Sequence, residues 1–228
     1  MLRSTLRSAA PGVLLATVLL VPFLDKAFTI DDTTLMMMAE HALVEPLHPS
    51  AIAIAWESDV PKRATGATGA LMAWLLVPAA LAGGSERLAH GMELVALAAG
   101  VLGTVALALR LGLGPRPARA AGLLLVSTPA VLGLSGTAMP DVPAMAVSVL
   151  GLERLLAWRS ERRSSQGIAA ALLLGLAPLL RPNLVLLPAL GALCWSEGWR
   201  GPRLGGPCRA GAGSFSQPSP LSRCSCRS

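Results

Sequence analysis

Asp31 and Asp32 stand side by side in this 228-residue chain, directly after its first apolar run, about Ala9 to Leu24. A carboxylate at such an exit from an apolar phase can take a proton from a hydroxyl or amine. An adjacent pair can also hold a divalent cation through hard oxygen ligands. The same two residues suit the first turn of a helix, where Asp satisfies free backbone amides. Asp141 lies between two prolines in Met139-Pro140-Asp141-Val142-Pro143, at a turn between apolar segments. Ionisable groups at such turns are frequently functional, and Asp also opens helices there. Arg181 interrupts a further apolar stretch. Its guanidinium can grip a phosphate with two parallel hydrogen bonds, or extend to the interface as a snorkelling side chain. Lys62, Arg63 and Arg87 are further cations that could meet a phosphate. His41, His48 and His90 lack metal-ligand spacing, and no H-E-x-x-H, G-x-S-x-G or Walker pattern is present. Cys194, Cys208, Cys224 and Cys226 all fall late in the chain and form no paired C-x-x-C pattern.

The elements that must carry these residues are apolar. The chain is 53% hydrophobic and only 14% charged, against about 25% charged in a soluble globular domain. Its mean hydropathy is +0.60. The apolar mass is Leu, Ala, Val and Gly, small or slim residues that let membrane helices approach closely. This composition predicts an all-α, polytopic transmembrane bundle. A net charge of +6 is one mark of nucleic-acid binders. Here the arginines sit in short clusters between apolar runs, as in cytoplasmic loops, so no nucleic-acid partner is expected.

Hydropathy predicts spans over about Ala9–Leu24, Leu88–Leu109, Ala120–Leu134, Ala144–Trp158, Gly167–Leu180 and Asn183–Trp195. Between the first two lies an acidic region, Asp25 to Arg63. Within it, Thr33–Val44 reads as a short amphipathic helix. Asp31 or Asp32 would cap it, and Leu35, Met38, Ala39 and Ala42 would share a face. Such a helix can lie on a membrane surface. Gly69–Leu81 is apolar but only about 13 residues long, which suits a re-entrant or interfacial helix. Charge decides the arrangement. If Gly69–Leu81 does not cross, every arginine-rich loop is cytoplasmic. The N-terminus, behind Arg3 and Arg7, is then cytoplasmic too, and the acidic region, Asp141 and Arg181 share the outside. Six spans follow, in a plasma or inner membrane. Residues 1–200 form this transmembrane domain. Residues 201–228 are Gly, Pro, Ser, Cys and Arg without periodicity and read as a disordered or frame-shifted tail.

The run Pro22-Phe23-Leu24-Asp25-Lys26-Ala27-Phe28-Thr29-Ile30-Asp31-Asp32 resembles the first external loop of membrane glycosyltransferases of the GT-C class. These are the bacterial relatives of the protein O-mannosyltransferases, glycosyltransferase family 39. The likeness continues in Ala39-Glu40-His41-Ala42-Leu43-Val44-Glu45-Pro46 with His48-Pro49. It extends through Ser127-Thr128-Pro129 to Met139-Pro140-Asp141-Val142-Pro143, and through Gly167 to Pro188 with Leu179-Leu180-Arg181-Pro182-Asn183. It spans about residues 9 to 200 in the family's order, over the N-terminal half of that family's core. The later external loops are missing, and Ala64 to Thr68 stand where the family carries a proline-rich stretch.

The resemblance implies inverting sugar transfer from a polyprenyl-phosphate-linked donor to a protein or glycan acceptor on the extracytoplasmic face, with membrane lipids as surroundings. By position, it makes Asp31 the catalytic base and Asp32 its neighbour in catalysis. It places Arg181 near the donor phosphate, where Lys62 and Arg63 are the further cations that could join it. It admits a divalent cation, Mg or Mn, at Asp141 and Asp32. A non-enzymatic polytopic protein, a transporter component or scaffold, is the rival reading, and an inactive fragment of the transferase is a third.

Overall fold

The computed structural model describes residues 2–54, 62–63 and 69–196. The chain is helical: α1 (Leu2–Leu20) and a 3-10 turn (Val21–Phe23), then α2 (Ile30–Val44), α3 (Ala70–Leu81), α4 (Glu86–Arg110), α5 (Pro115–Ser127), α6 (Pro129–Ser135), α7 (Asp141–Glu161) and α8 (Ser164–Leu180). A second 3-10 turn (Pro182–Val185) leads into α9 (Leu186–Ser196). One antiparallel β pair, β1 (Ala53–Ile54) with β2 (Lys62–Arg63), sets Ala53 against Arg63 and Ile54 against Lys62.

Two helical stretches are long and apolar enough to cross a bilayer: Leu2–Phe23, 22 residues, and α4, 25 residues. At 1.5 Å per residue, α4 reaches about 37 Å, beyond the roughly 30 Å of hydrocarbon. The third expected span divides into α5 and α6, bent by 61° at their junction. Pro129 starts the second piece, and proline cannot donate the backbone bond that would continue the first. Counting that pair as one span gives three. The six expected spans therefore reduce to two or three on length and composition. α7 has 21 residues but carries Asp141, Glu153, Arg154, Arg159 and Glu161. α8 has 17 residues with Pro178 inside it, and α9 has 11. α3, at 12 residues, is about 18 Å long and too short to span.

Glycine sets the closest helix contacts. A Cβ on Gly122 of α5 would lie 2.9 Å from Val105 Cγ2 of α4, and one on Gly151 of α7 would lie 2.7 Å from Leu174 Cδ2 of α8. Small residues at such crossings are how apolar helices associate without a hydrophobic driving force. Gly83 and Gly84, at φ +73° and +77°, make the left-handed turn from α3 into α4, where a side chain would be strained. Ser85 Oγ then accepts the Leu88 amide at 3.4 Å and starts α4.

The expected apolar face of α2 is borne out. Leu35, Met38, Ala39 and Ala42 are all buried. Its neighbour is α3 rather than a membrane surface: Leu35, Met38 and Ala39 join Met72, Ala73 and Leu76 in one core. That core also takes in Ala138, Ala144 and Leu180. The α2–α3 pair thereby covers the end of the molecule where α7 begins and α8 finishes.

Candidate functional site

Asp31 and Asp32 occupy the first turn of α2, and the fold separates them completely. Thr29, not either aspartate, is the N-cap residue. Asp32 is fully buried, at 0% exposure. Its Oδ2 accepts the Thr29 backbone amide at 2.9 Å and the Thr29 hydroxyl at 2.8 Å. Its Oδ1 accepts the Ala138 amide at 2.8 Å, 106 residues along the chain. This is a capping box with Asp at the third helical position, extended into a tie between α2 and the turn before α7. Both Asp32 oxygens are thereby committed to protein donors, and Asp32 acts in the structure as a positioning residue for α2. Asp31 is exposed and has no hydrogen bond or ion pair among the described residues.

Asp141 is the first residue of α7, after the N-cap Pro140, and pairs with Arg181 NH2 from the end of α8. Arg181 Nε is buried without a hydrogen-bond partner among the described residues. The pair borders a cavity of about 300 Å³ together with Ser148, Asn183 and Leu187. Asp25 lies beside the same end and is held by Arg87, whose Nε and second guanidinium nitrogen donate at 2.8 and 2.7 Å. Those hydrogen bonds hold the Asp25 carboxyl below the usual carboxylate range. Lys26 donates to the Gly136 carbonyl at 3.1 Å, and His90 Nδ1 lies 3.2 Å from the Leu24 carbonyl. The expected common side of Asp31, Asp32, Asp141 and Arg181 is thus one end of the helix assembly, tied by Asp32 to Ala138. Lys62 and Arg63 pair through β2, and their side chains lie outside the described residues.

The arginines gather at the opposite end. Arg110, the last residue of α4, donates to Glu153 Oε1 at 2.8 Å and to Glu161 Oε1 at 3.1 Å. Arg154 Nε sits 3.0 Å from Glu153 Oε2. Arg162, at φ 56°, ends α7 with its guanidinium 5.7 Å from the Trp158 ring centroid.

A divalent cation does not fit Asp32 and Asp141. Asp32 has both oxygens committed to protein donors, and Asp141 is committed to Arg181. Among the described residues no three acidic, histidine or cysteine side chains form a set that could hold a metal. A Mg²⁺ site needs one or two carboxylates free to ligate, and neither Asp32 nor Asp141 is free.

One residue at this end went unclaimed by the sequence reading. Glu93, in the second turn of α4, is 1% exposed, and neither carboxylate oxygen has a hydrogen-bond partner among the described residues. Asp32 and Asp141 are the carboxylates near enough to act on its charge. The signal was available: an acid eight residues into an apolar span is a functional candidate by default.

Fold and site define an α-helical protein with helices able to cross a membrane and with ion pairs at both ends of the helix assembly. Comparison with family models, curated proteins and solved structures returns no match.

Proposed function

We propose that this chain forms part of a sugar-transfer site for a polyprenyl-phosphate-linked donor, working at the acidic end of the bundle. One observation carries the reading. Of the carboxylates gathered around the start of α2, Asp31 alone is both exposed and unpartnered among the described residues, while Asp141 and Arg181 stand at the same end. In this reading Asp31 takes the proton from an acceptor hydroxyl. The acceptor oxygen forms a bond to the anomeric carbon as that carbon's bond to the phosphate oxygen breaks. The electron pair leaves with polyprenyl phosphate, and configuration inverts in the single displacement. Arg181, oriented by Asp141, faces the departing phosphate charge, so no metal is invoked. In this reading α1, α4, the bent α5–α6 pair, α7 and α8 supply the crossings, while α3 and α9, at 12 and 11 residues, do not span. The arginine-rich end lies in the cytoplasm by the positive-inside rule, and the acidic end outside.

The test is transfer from a polyprenyl-phosphate sugar by the full-length protein in liposomes. Asp31→Asn is expected to lower turnover by about 10²–10⁴ without changing the unfolding midpoint. Arg181→Lys is expected to raise the donor KM more than it lowers turnover. Full transfer by Asp31→Asn would sink the assignment. A non-enzymatic membrane role is the second reading, favoured by the structural duties of Asp32 and Asp141. A folded wild-type protein inactive with every lipid-linked sugar would select it.

A further inference from the structure

A second feature at the acidic end is independent of sugar transfer. An apolar groove of about 420 Å³ runs between α3, α4 and α7. Met72, Leu75, Met92, Ala96 and Val147 line its walls, and Glu93 is its single charged lining residue. Leu88 and Val95, at 45% and 69% exposure, form an outward apolar rim, so the groove opens to the outside of the helix assembly. Inside, both Glu93 oxygens lack a donor among the described residues. Leaving such acceptors buried and unmet is costly. Asp32 and Asp141 add negative charge nearby. Asp32 is satisfied by neutral amide and hydroxyl donors, and Arg181 is committed to Asp141. No cation among the described residues pairs with Glu93.

We infer that this groove is a binding site for an amphiphile with a protonated amine on an apolar chain, its chain in the α3/α4/α7 cleft and its ammonium on Glu93. Charge complementarity selects the amine. An ammonium brings several donors and a positive charge to two empty acceptors amid carboxylates. A fatty acid or lipid phosphate would bring a further negative charge, and an alcohol supplies one donor and no charge. The groove walls supply the area that an alkyl chain needs.

The test uses the full chain in nanodiscs of zwitterionic lipid, labelled with a diazirine-bearing dodecylamine and mapped by mass spectrometry. Label is expected on the α3 and α4 segments lining the groove. Dodecylamine should compete about tenfold better than dodecanol or dodecanoate, the order of one charge-assisted hydrogen bond. Glu93→Gln should cut the labelling about tenfold by the same reasoning. Gly91→Leu supplies a second variant. Gly91 lines the groove, and a Cβ there meets nothing within 4 Å, so an added side chain starts in open space at the cleft. It should abolish groove labelling while circular dichroism and the unfolding midpoint hold. Labelling insensitive to Glu93→Gln, or equal competition by dodecanol, overturns the amine site in favour of a general lipid cleft. No label in the groove of the folded wild-type protein overturns it in favour of coverage by another helix or a second copy.

Discussion

The two ends of the bundle treat carboxylates in opposite ways. At the basic end, Glu153 and Glu161 are gathered by Arg110, Arg154 and Arg163 into one ion-pair network. Glu153 is nearly buried, with 3% of its side chain exposed. At the acidic end each group is handled singly. Asp25 has Arg87, Asp141 has Arg181, and Asp32 has backbone and hydroxyl donors. Among the carboxylates around the start of α2, Asp31 and Glu93 are left over. A network with its charges matched holds helices in register and leaves little for a ligand to gain. An end with one free exposed acid and one unmet buried acid has interactions still to make. Chemistry is therefore sought at the acidic end, and stability at the basic end.

The sharpest way to break this contrast is to remove Arg110. Truncating one partner of a buried ion pair leaves the other charge unmet and typically costs about 3–5 kcal/mol. Arg154 remains beside Glu153, so Arg110→Met is expected at the low end, about 3 kcal/mol. Unfolding in detergent followed by circular dichroism measures it. Arg110→Met with Glu153→Leu should recover most of the loss, because both charges then leave together. Equal instability in the double variant would mean that the network is not what joins α4 to α7. At the other end, Asp32→Ala removes the capping-box carboxylate that holds Thr29 and orphans the Ala138 amide, for a loss of about 2 kcal/mol. Asp31→Ala in the same assay should lose no more than about 0.5 kcal/mol, the size of a helix-dipole contact. Similar losses for the two neighbours would erase the division of labour drawn between them.

That division was not legible in the sequence, although much of the scaffold was. The apolar face of α2 followed from the spacing of Leu35, Met38, Ala39 and Ala42, because helical period alone fixes which residues share a side. The short length of α3 was likewise a local property. Asp31 and Asp32 read as equals because adjacency in sequence says nothing of which one meets a partner 106 residues away. The break of the third span at Thr128–Pro129 was missed because hydropathy is blind to a proline's lost donor. Glu93 lies within the span that hydropathy predicts, and hydropathy does not tell whether one acid there is paired. Only packing showed it buried without a partner, and the choice among Arg181's readings likewise needed Asp141 brought to it by the fold.

The smallest effect expected is at Asp25 and Arg87, and its sign is fixed by the pair's geometry. Hydrogen bonds from Arg87 lower the Asp25 pKa in the folded state. A carboxylate with a depressed folded pKa contributes stability above its unfolded value, and that contribution is lost as pH falls through the folded value. The window therefore lies below the ordinary carboxylate pKa, well under neutral pH. Both side chains are about two-thirds exposed, at 68% and 69%, so water and salt screen the attraction. Asp25→Asn is expected to leave the unfolding midpoint at pH 7 within error of the wild type, and to flatten only the acid limb of the pH profile at low salt. A large loss at pH 7 would mean that the acidic end also depends on its ion pairs as the basic end does, and the contrast between them would fail.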